Sequence, residues 1–156
     1  MSRPQRILGA LLAAMILVAT PVAHSTASED LVSVAATAEQ IAAVRSAAAH
    51  MSPGLSRPFE VRFAAWKKTW SEPPLVFSSN PHDATRSKKF RDLVALGRDI
   101  LPAVVEKLID PDNFFALQLY EAIQTHRSLV ASSIDDGFES EQARARKTIR
   151  LYANSL

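Results

Sequence analysis

Large apolar residues recur along most of this chain with a period near 3.6, the spacing of one helix face. After Thr37, Ile41, Val44, Ala48 and Met51 form one stripe, and Thr37 with Gln40 makes a T-x-x-Q capping box at its start. Met51-Ser-Pro-Gly ends that helix. A second helix is predicted over Pro58 to Trp70, where Phe59, Phe63, Trp66 and Trp70 fall at i, i+4, i+7 and i+11. Glu60, Arg62, Lys67 and Lys68 occupy its polar face. Glu72-Pro73-Pro74 predicts an extended connector, because each proline restricts the residue before it.

Leu75 to Asp83 carries no helical rhythm, and Ser79, Asn80 and Pro81 favour an Asx-type turn. Thr85 or Ser87 can cap a third helix with Phe90, Leu93, Val94 and Leu96 inward, and Gly97 stops it. Asp99 is expected to cap a fourth helix that tolerates Pro102 in its first turn and buries Ile100, Leu101, Val104, Val105 and Leu108. Asp110 as cap and Pro111 as first residue open a fifth, with Phe115, Leu119, Ala122 and Ile123 on one face and Phe114 and Leu117 beside it. Ser132 to Gly137 reads as a loop. Asp136 and Glu139 form a D-x-x-E box before a last helix reaching about Asn154, with Ala145, Ile149 and Tyr152 inward. The pattern predicts an all-α single small domain of five or six helices, over residues 37–156.

The first two dozen residues break the rhythm. Arg3 and Arg6 precede a run of 13 apolar residues, Ile7 to Ala19, too short for the roughly 20 that span a bilayer. Pro21 and small residues follow. This is the layout of a secretory signal peptide, expected over residues 1–27, with a flexible stretch over 28–36. A secreted or periplasmic location in a bacterium follows as the expectation, with no stable transmembrane span once the leader is cut.

Charge changes the picture again. The net charge of +2 comes from 18 Lys and Arg against 16 Asp and Glu. Arg3 and Arg6 supply that excess, so without the leader 16 bases meet 16 acids and the balance is zero. A broadly basic surface for nucleic acid is not indicated. The absence of cysteine removes disulfides and thiolate metal sites, so stability rests on apolar burial.

One segment is familiar. Leu96-Gly97-x3-Leu101-Pro102-x5-Leu108, then Asp110-Pro111-Asp112 and a helix ending Glu121-Ala122-Ile123, resembles a HEAT-like helical hairpin over about residues 88–124. HEAT turns usually carry Val-Arg soon after the aspartate, where this chain has Phe115 and Ala116. A single hairpin is present, and about three are needed for a solenoid. The resemblance implies a helix pair and, by analogy, a protein-interaction role within a family of bacterial secreted proteins.

Motifs of chemistry are scarce. Asp110, Asp112 and Glu121 have EF-hand spacing, but Phe114 and Phe115 stand where a ligand and a glycine are required, so no metal is assigned. No H-x-x-x-H or G-x-S-x-G occurs, four glycines leave no phosphate-cradling loop, and no cofactor or catalytic residue is assigned. What stands out is the irregular loop with Ser79, Asn80, His82 and Asp83, since loops carry function more often than cores. Two basic clusters accompany it: Arg86, Lys88, Lys89 and Arg91, and Arg144, Arg146, Lys147 and Arg150. A solvated helix face explains both without a ligand. As binding surfaces, they would suit an anionic membrane or cell-wall polymer.

These features point to an exported, non-enzymatic interaction module with a protein partner that docks on Phe77 to Asp83. The alternatives are a small secreted hydrolase of cell-wall or extracellular material using Glu60, Glu72, His82 or Asp83, and a membrane-surface protein using the C-terminal basic helix.

Overall fold

The rhythm of large side chains does become helix. The computed structural model describes residues 35–130 and 140–156. Among them are six α-helices and no strand: α1 (Ala38–Ala49), α2 (Pro53–Trp70), α3 (Lys88–Val94), α4 (Leu101–Leu108), α5 (Ala116–Ile123) and α6 (Glu141–Ala153). Single 3-10 turns fill the connections at Leu75–Phe77, Pro81–Arg86, Arg98–Ile100, Pro111–Asn113 and Arg127–Leu129. The expected leader over 1–27, the loop Ser132 to Gly137 and the Asp136–Glu139 box lie outside the described residues.

Helix α4 is the hub. It is mostly apolar and packs on α1, α5 and α6, and Val104 and Val105 are fully buried. Full burial of one such side chain contributes about 1.5–3 kcal/mol before entropy is counted. Helix α2 packs on α3, and α1 on α6, closing the interior from two sides. The α4–α5 pair meets across the turn Asp110 to Phe115.

Several starts and faces differ from expectation. Helix α2 begins at Pro53, five residues before the expected Pro58, and Pro58 lies inside it. Pro53 sits where a missing N–H costs nothing. Pro58 withholds one N–H from Gly54 near the helix start, which half-buried Leu55 and buried Phe59 offset by packing. The prolines at 73 and 74 do not extend the chain: Val76 N–H donates to Glu72 O at 3.1 Å and Phe77 N–H to Pro74 O at 3.1 Å, curling it into a turn.

Asp99 caps nothing. The chain passes Gly97 at φ 78° into a 3-10 turn, and Ile100 precedes α4 with no side-chain cap. The positive φ explains the glycine. Asp110 caps the Pro111–Asn113 turn through Asp112 N–H at 3.0 Å, and α5 starts later, at Ala116. Ala122 is exposed, because α5 is covered on nearly all other sides and turns only Glu121 and Ala122 outward. Other caps stand as read: Thr37 and Gln40 form the reciprocal box, and Ser87 accepts from Phe90 N–H at 3.1 Å. Ser140 caps α6 by accepting from Ala143 N–H at 3.2 Å.

Candidate functional site

The end of α2 carries the aromatic stripe into the core and leaves an irregular segment beside it. Trp66 is fully buried, and its indole N–H donates to Ala84 O at 2.9 Å. That bond pins the Pro81–Arg86 turn against α2. Between these two anchors, the chain from Glu72 to Asn80 crosses the surface. It encloses an open groove of about 600 Å³. Pro73, Pro74, Leu75 and Phe77 supply its apolar lining, and Glu72, Asp83 and Arg86 its charges. Phe77 is 83% exposed and neighbouring Val76 is also exposed, although an aromatic side chain would ordinarily be buried.

The polar groups of this groove are largely committed to the fold. Ser78 Oγ donates to Asp83 Oδ2 at 2.6 Å and accepts from Asn80 N–H at 3.1 Å. Asp83 Oδ1 pairs with Arg86 at 3.2 Å. Thr69 Oγ1 donates to Trp66 O at 2.6 Å, and Ser87 Oγ serves as the α3 cap. Glu72 has only a loose contact with Lys68, at 3.9 Å. The groove therefore offers apolar surface, one well-exposed guanidinium and one carboxylate.

The residues singled out from sequence divide here. Asn80 makes the expected Asx turn, its Oδ1 accepting from His82 N–H at 3.1 Å. Of Ser79, Asn80, His82 and Asp83, only Asp83 lines the groove; the other three are exposed outside it. Glu60 is elsewhere, bonded to Lys107 Nζ at 2.8 Å, so the four acids and bases of the hydrolase alternative do not converge. Glu72 and Asp83 alone share the groove.

The C-terminal basic cluster is not one surface. The Arg144 side chain is only 12% exposed and bridges two carboxylates, Glu121 on α5 and Glu141 at 2.7 Å on its own helix. Expecting Arg144 on a solvated or ligand-binding face is therefore incorrect: it faces α5, where a half-buried carboxylate needs a counter-charge. Burial pushes the Glu121 carboxyl up, more than Arg144 draws it down; Glu141 adds to the rise and His82 opposes it. Among the described residues, Arg144 Nε and Glu141 Oε2 are buried without a hydrogen-bond partner. Lys147 and Arg150 are half-buried, whereas Arg146 is exposed and lines an apolar cleft on the opposite side of α6 from Arg144. Sequence reasoning missed the Glu121–Arg144 pair, because 23 residues separate its members and neither belongs to a motif.

Among the described residues no group of three or more His, Cys, Asp or Glu could hold a metal ion. Asp110 and Glu121, the ends of the EF-hand-like spacing, have separate duties, as a cap and as the partner of Arg144. No helix among them is long and apolar enough to cross a membrane. Comparison with protein-family models, with curated proteins and with solved structures finds no match to this chain.

Proposed function

We propose that this chain is a non-enzymatic interaction module that docks a protein partner in the groove between the end of α2 and the Pro81–Arg86 turn. The observation that carries the reading is Phe77, 83% exposed on the rim of an apolar-lined groove. An aromatic side chain held in water by a turn gains its free energy only when a partner covers it, and buried aromatic anchors dominate interface energetics. The internal use of Ser78, Asp83, Thr69 and Ser87 supports the same reading. A glycan site would need several hydroxyls and carboxylates free to bond sugar, and here all but Glu72 are spent. The HEAT-like α4–α5 pair adds an analogy with interaction proteins. The leader-like pattern of Arg3, Arg6 and the apolar run Ile7 to Ala19 supports a partner outside the cytoplasm.

A second reading, the exported hydrolase, is favoured by one observation, that Glu72 and Asp83 line the same groove. Both oxygens of Asp83 are engaged, which leaves Glu72 as its acid or base.

The test is a photo-reactive amino acid placed at position 77, and separately at exposed Ala49 on α1, in the full chain expressed in its own host. A discrete adduct at 77, absent at 49 and lost on Leu75→Asp, is the expected result. Adducts of equal yield at both positions refute the docking reading. Turnover of peptidoglycan or peptide fragments that disappears in Glu72→Gln replaces it with the hydrolase.

A further inference from the structure

Apart from that groove, α6 lies over an apolar cleft of about 190 Å³ formed with the start of α1 and the end of α4. Ile41, Leu108, Ile109, Phe114 and Ile149 supply most of its wall. Among the described residues its only charged lining group is Arg146, which is exposed and makes no hydrogen bond or ion pair with them. Every other arginine on α6 is engaged: Arg144 with two glutamates, Arg150 with neighbours.

We infer that this cleft binds a small free carboxylic acid, its apolar end of about five carbons inserted between α1, α4 and α6 and its carboxylate on Arg146. Size sets the apolar part. The volume is close to the roughly 150 Å³ of an apolar cavity that accepts benzene. It is below the roughly 300–1,000 Å³ of pockets for drug-sized ligands. The guest is therefore a single ring or a short chain. Charge sets the head. A guanidinium presents a planar fork of donors that matches a carboxylate, and a lone uncompensated cation at an apolar mouth favours an anion there. The site is independent of the groove at Phe77, so failure of either reading leaves the other standing.

The test is a titration of the isotope-labelled full chain with hexanoate, followed by NMR. Hexanoate is expected to shift Ile41, Phe114 and Ile149 together and to saturate. Butanoate, two methylenes shorter, should bind about fifteenfold more weakly, at about fourfold per methylene. Arg146→Gln should weaken hexanoate by up to about fivefold, the upper end for an exposed ion pair, and leave hexanol unchanged. Ile41→Trp should close the cleft to both. Because Arg146 is exposed, its variant folds even where Ile41→Trp does not.

Equal binding of hexanol and hexanoate by the wild-type chain overturns the role of Arg146. No saturable shift at the three residues overturns the site, and so do contacts there from another part of this chain. A blocked tripeptide ending in leucine carboxylate that binds more tightly than hexanoate overturns the free acid in favour of a protein C-terminus.

Discussion

Two regions of the interior are held together by different physics. Around α2 and α3 the contacts are between rings: Phe59 with Phe63 at 5.5 Å, Trp66 with Trp70 at 4.9 Å and with Phe90 at 5.3 Å, and Trp70 with Phe115 at 5.0 Å. Around α5 and α6 the apolar core is joined by partly buried polar contacts. Tyr120 O–H donates to Leu129 O at 2.9 Å, Gln124 Nε2 donates to Tyr120 at 3.2 Å, and Arg144 joins Glu121 to Glu141. The ring-packed region is indifferent to pH and tolerant of small shifts. The polar region depends on each partner being present and correctly charged, since a buried charge without a counter-charge is costly. This difference explains why an exposed aromatic can sit beside the first region without disturbing it, while the basic cluster in the second is largely consumed by the fold.

The largest effect should come from Trp66→Ala. The ring is fully buried and touches three other aromatic rings, and its N–H secures the Pro81–Arg86 turn. Loss of about 4 kcal/mol is expected, in the range for large aromatic-to-alanine changes. A urea melt followed by circular dichroism measures it, and the deficit should be the same at pH 5 and pH 7. A deficit that varies strongly between them would mean that the two regions are not separable.

Arg144→Ala comes next, at about 3 kcal/mol at pH 7, because it leaves Glu121 and Glu141 without their shared cation. This loss should shrink as pH falls and the Glu121 carboxyl, pushed up by burial, protonates. The same melt at the two pH values checks it, and an equal loss at both would assign Arg144 a packing role only.

Both predictions concern side chains that the sequence marks very differently. Trp66 was legible because bulky residues at i, i+4, i+7 and i+11 leave no other solution than a buried helix face. The caps Thr37 and Ser87 were legible because an N-cap needs only a side-chain oxygen within three residues. The early start of α2 was not, since Pro53, Gly54 and Pro58 are individually poor helix formers and are overridden by tertiary packing. Asp83 and Arg146 were singled out from local chemistry, and they line the groove and the cleft respectively. The exposure of Phe77 and the capture of Arg144 were not, because both depend on which elements meet in space, and one sequence does not state that.

Glu121 sharpens the comparison through its sign with pH. Its folded carboxyl is held above its ordinary value by burial. The contribution to stability is therefore fully present below the ordinary value of 4.5 and is lost as pH rises through the raised folded value. Glu121→Gln cannot ionise, so this component should disappear. Wild type minus variant, measured from pH 4 to pH 8, should fall with rising pH. A difference that rises instead would show that the Arg144 attraction outweighs burial, reversing the account of this region.

Thr148 gives a gain rather than a loss. Its hydroxyl is fully buried in the polar region and has no hydrogen-bond partner among the described residues. Thr148→Val keeps the branched shape and removes the unpaired group, so an increase of about 1 kcal/mol is expected, seen as a higher melting temperature. A decrease would mean that the hydroxyl is satisfied in solution.

The smallest effect separates stability from binding. Phe77→Ser removes a large ring, yet that ring is almost entirely in water, so the folded and unfolded chains expose it alike. The change in stability should stay within about 0.5 kcal/mol, as for surface positions generally. Trp66 and Phe77 are both aromatic residues of the same region, eleven positions apart, and the contrast between a cost of several kcal/mol and almost none measures how much of each ring the fold itself uses. A cost above 1–2 kcal/mol for Phe77→Ser would show that the turn buries the ring in solution, and the docking surface would lose its anchor. With the cost near zero, the fold makes no use of the exposed ring, which is what the proposed docking of a partner at that position requires.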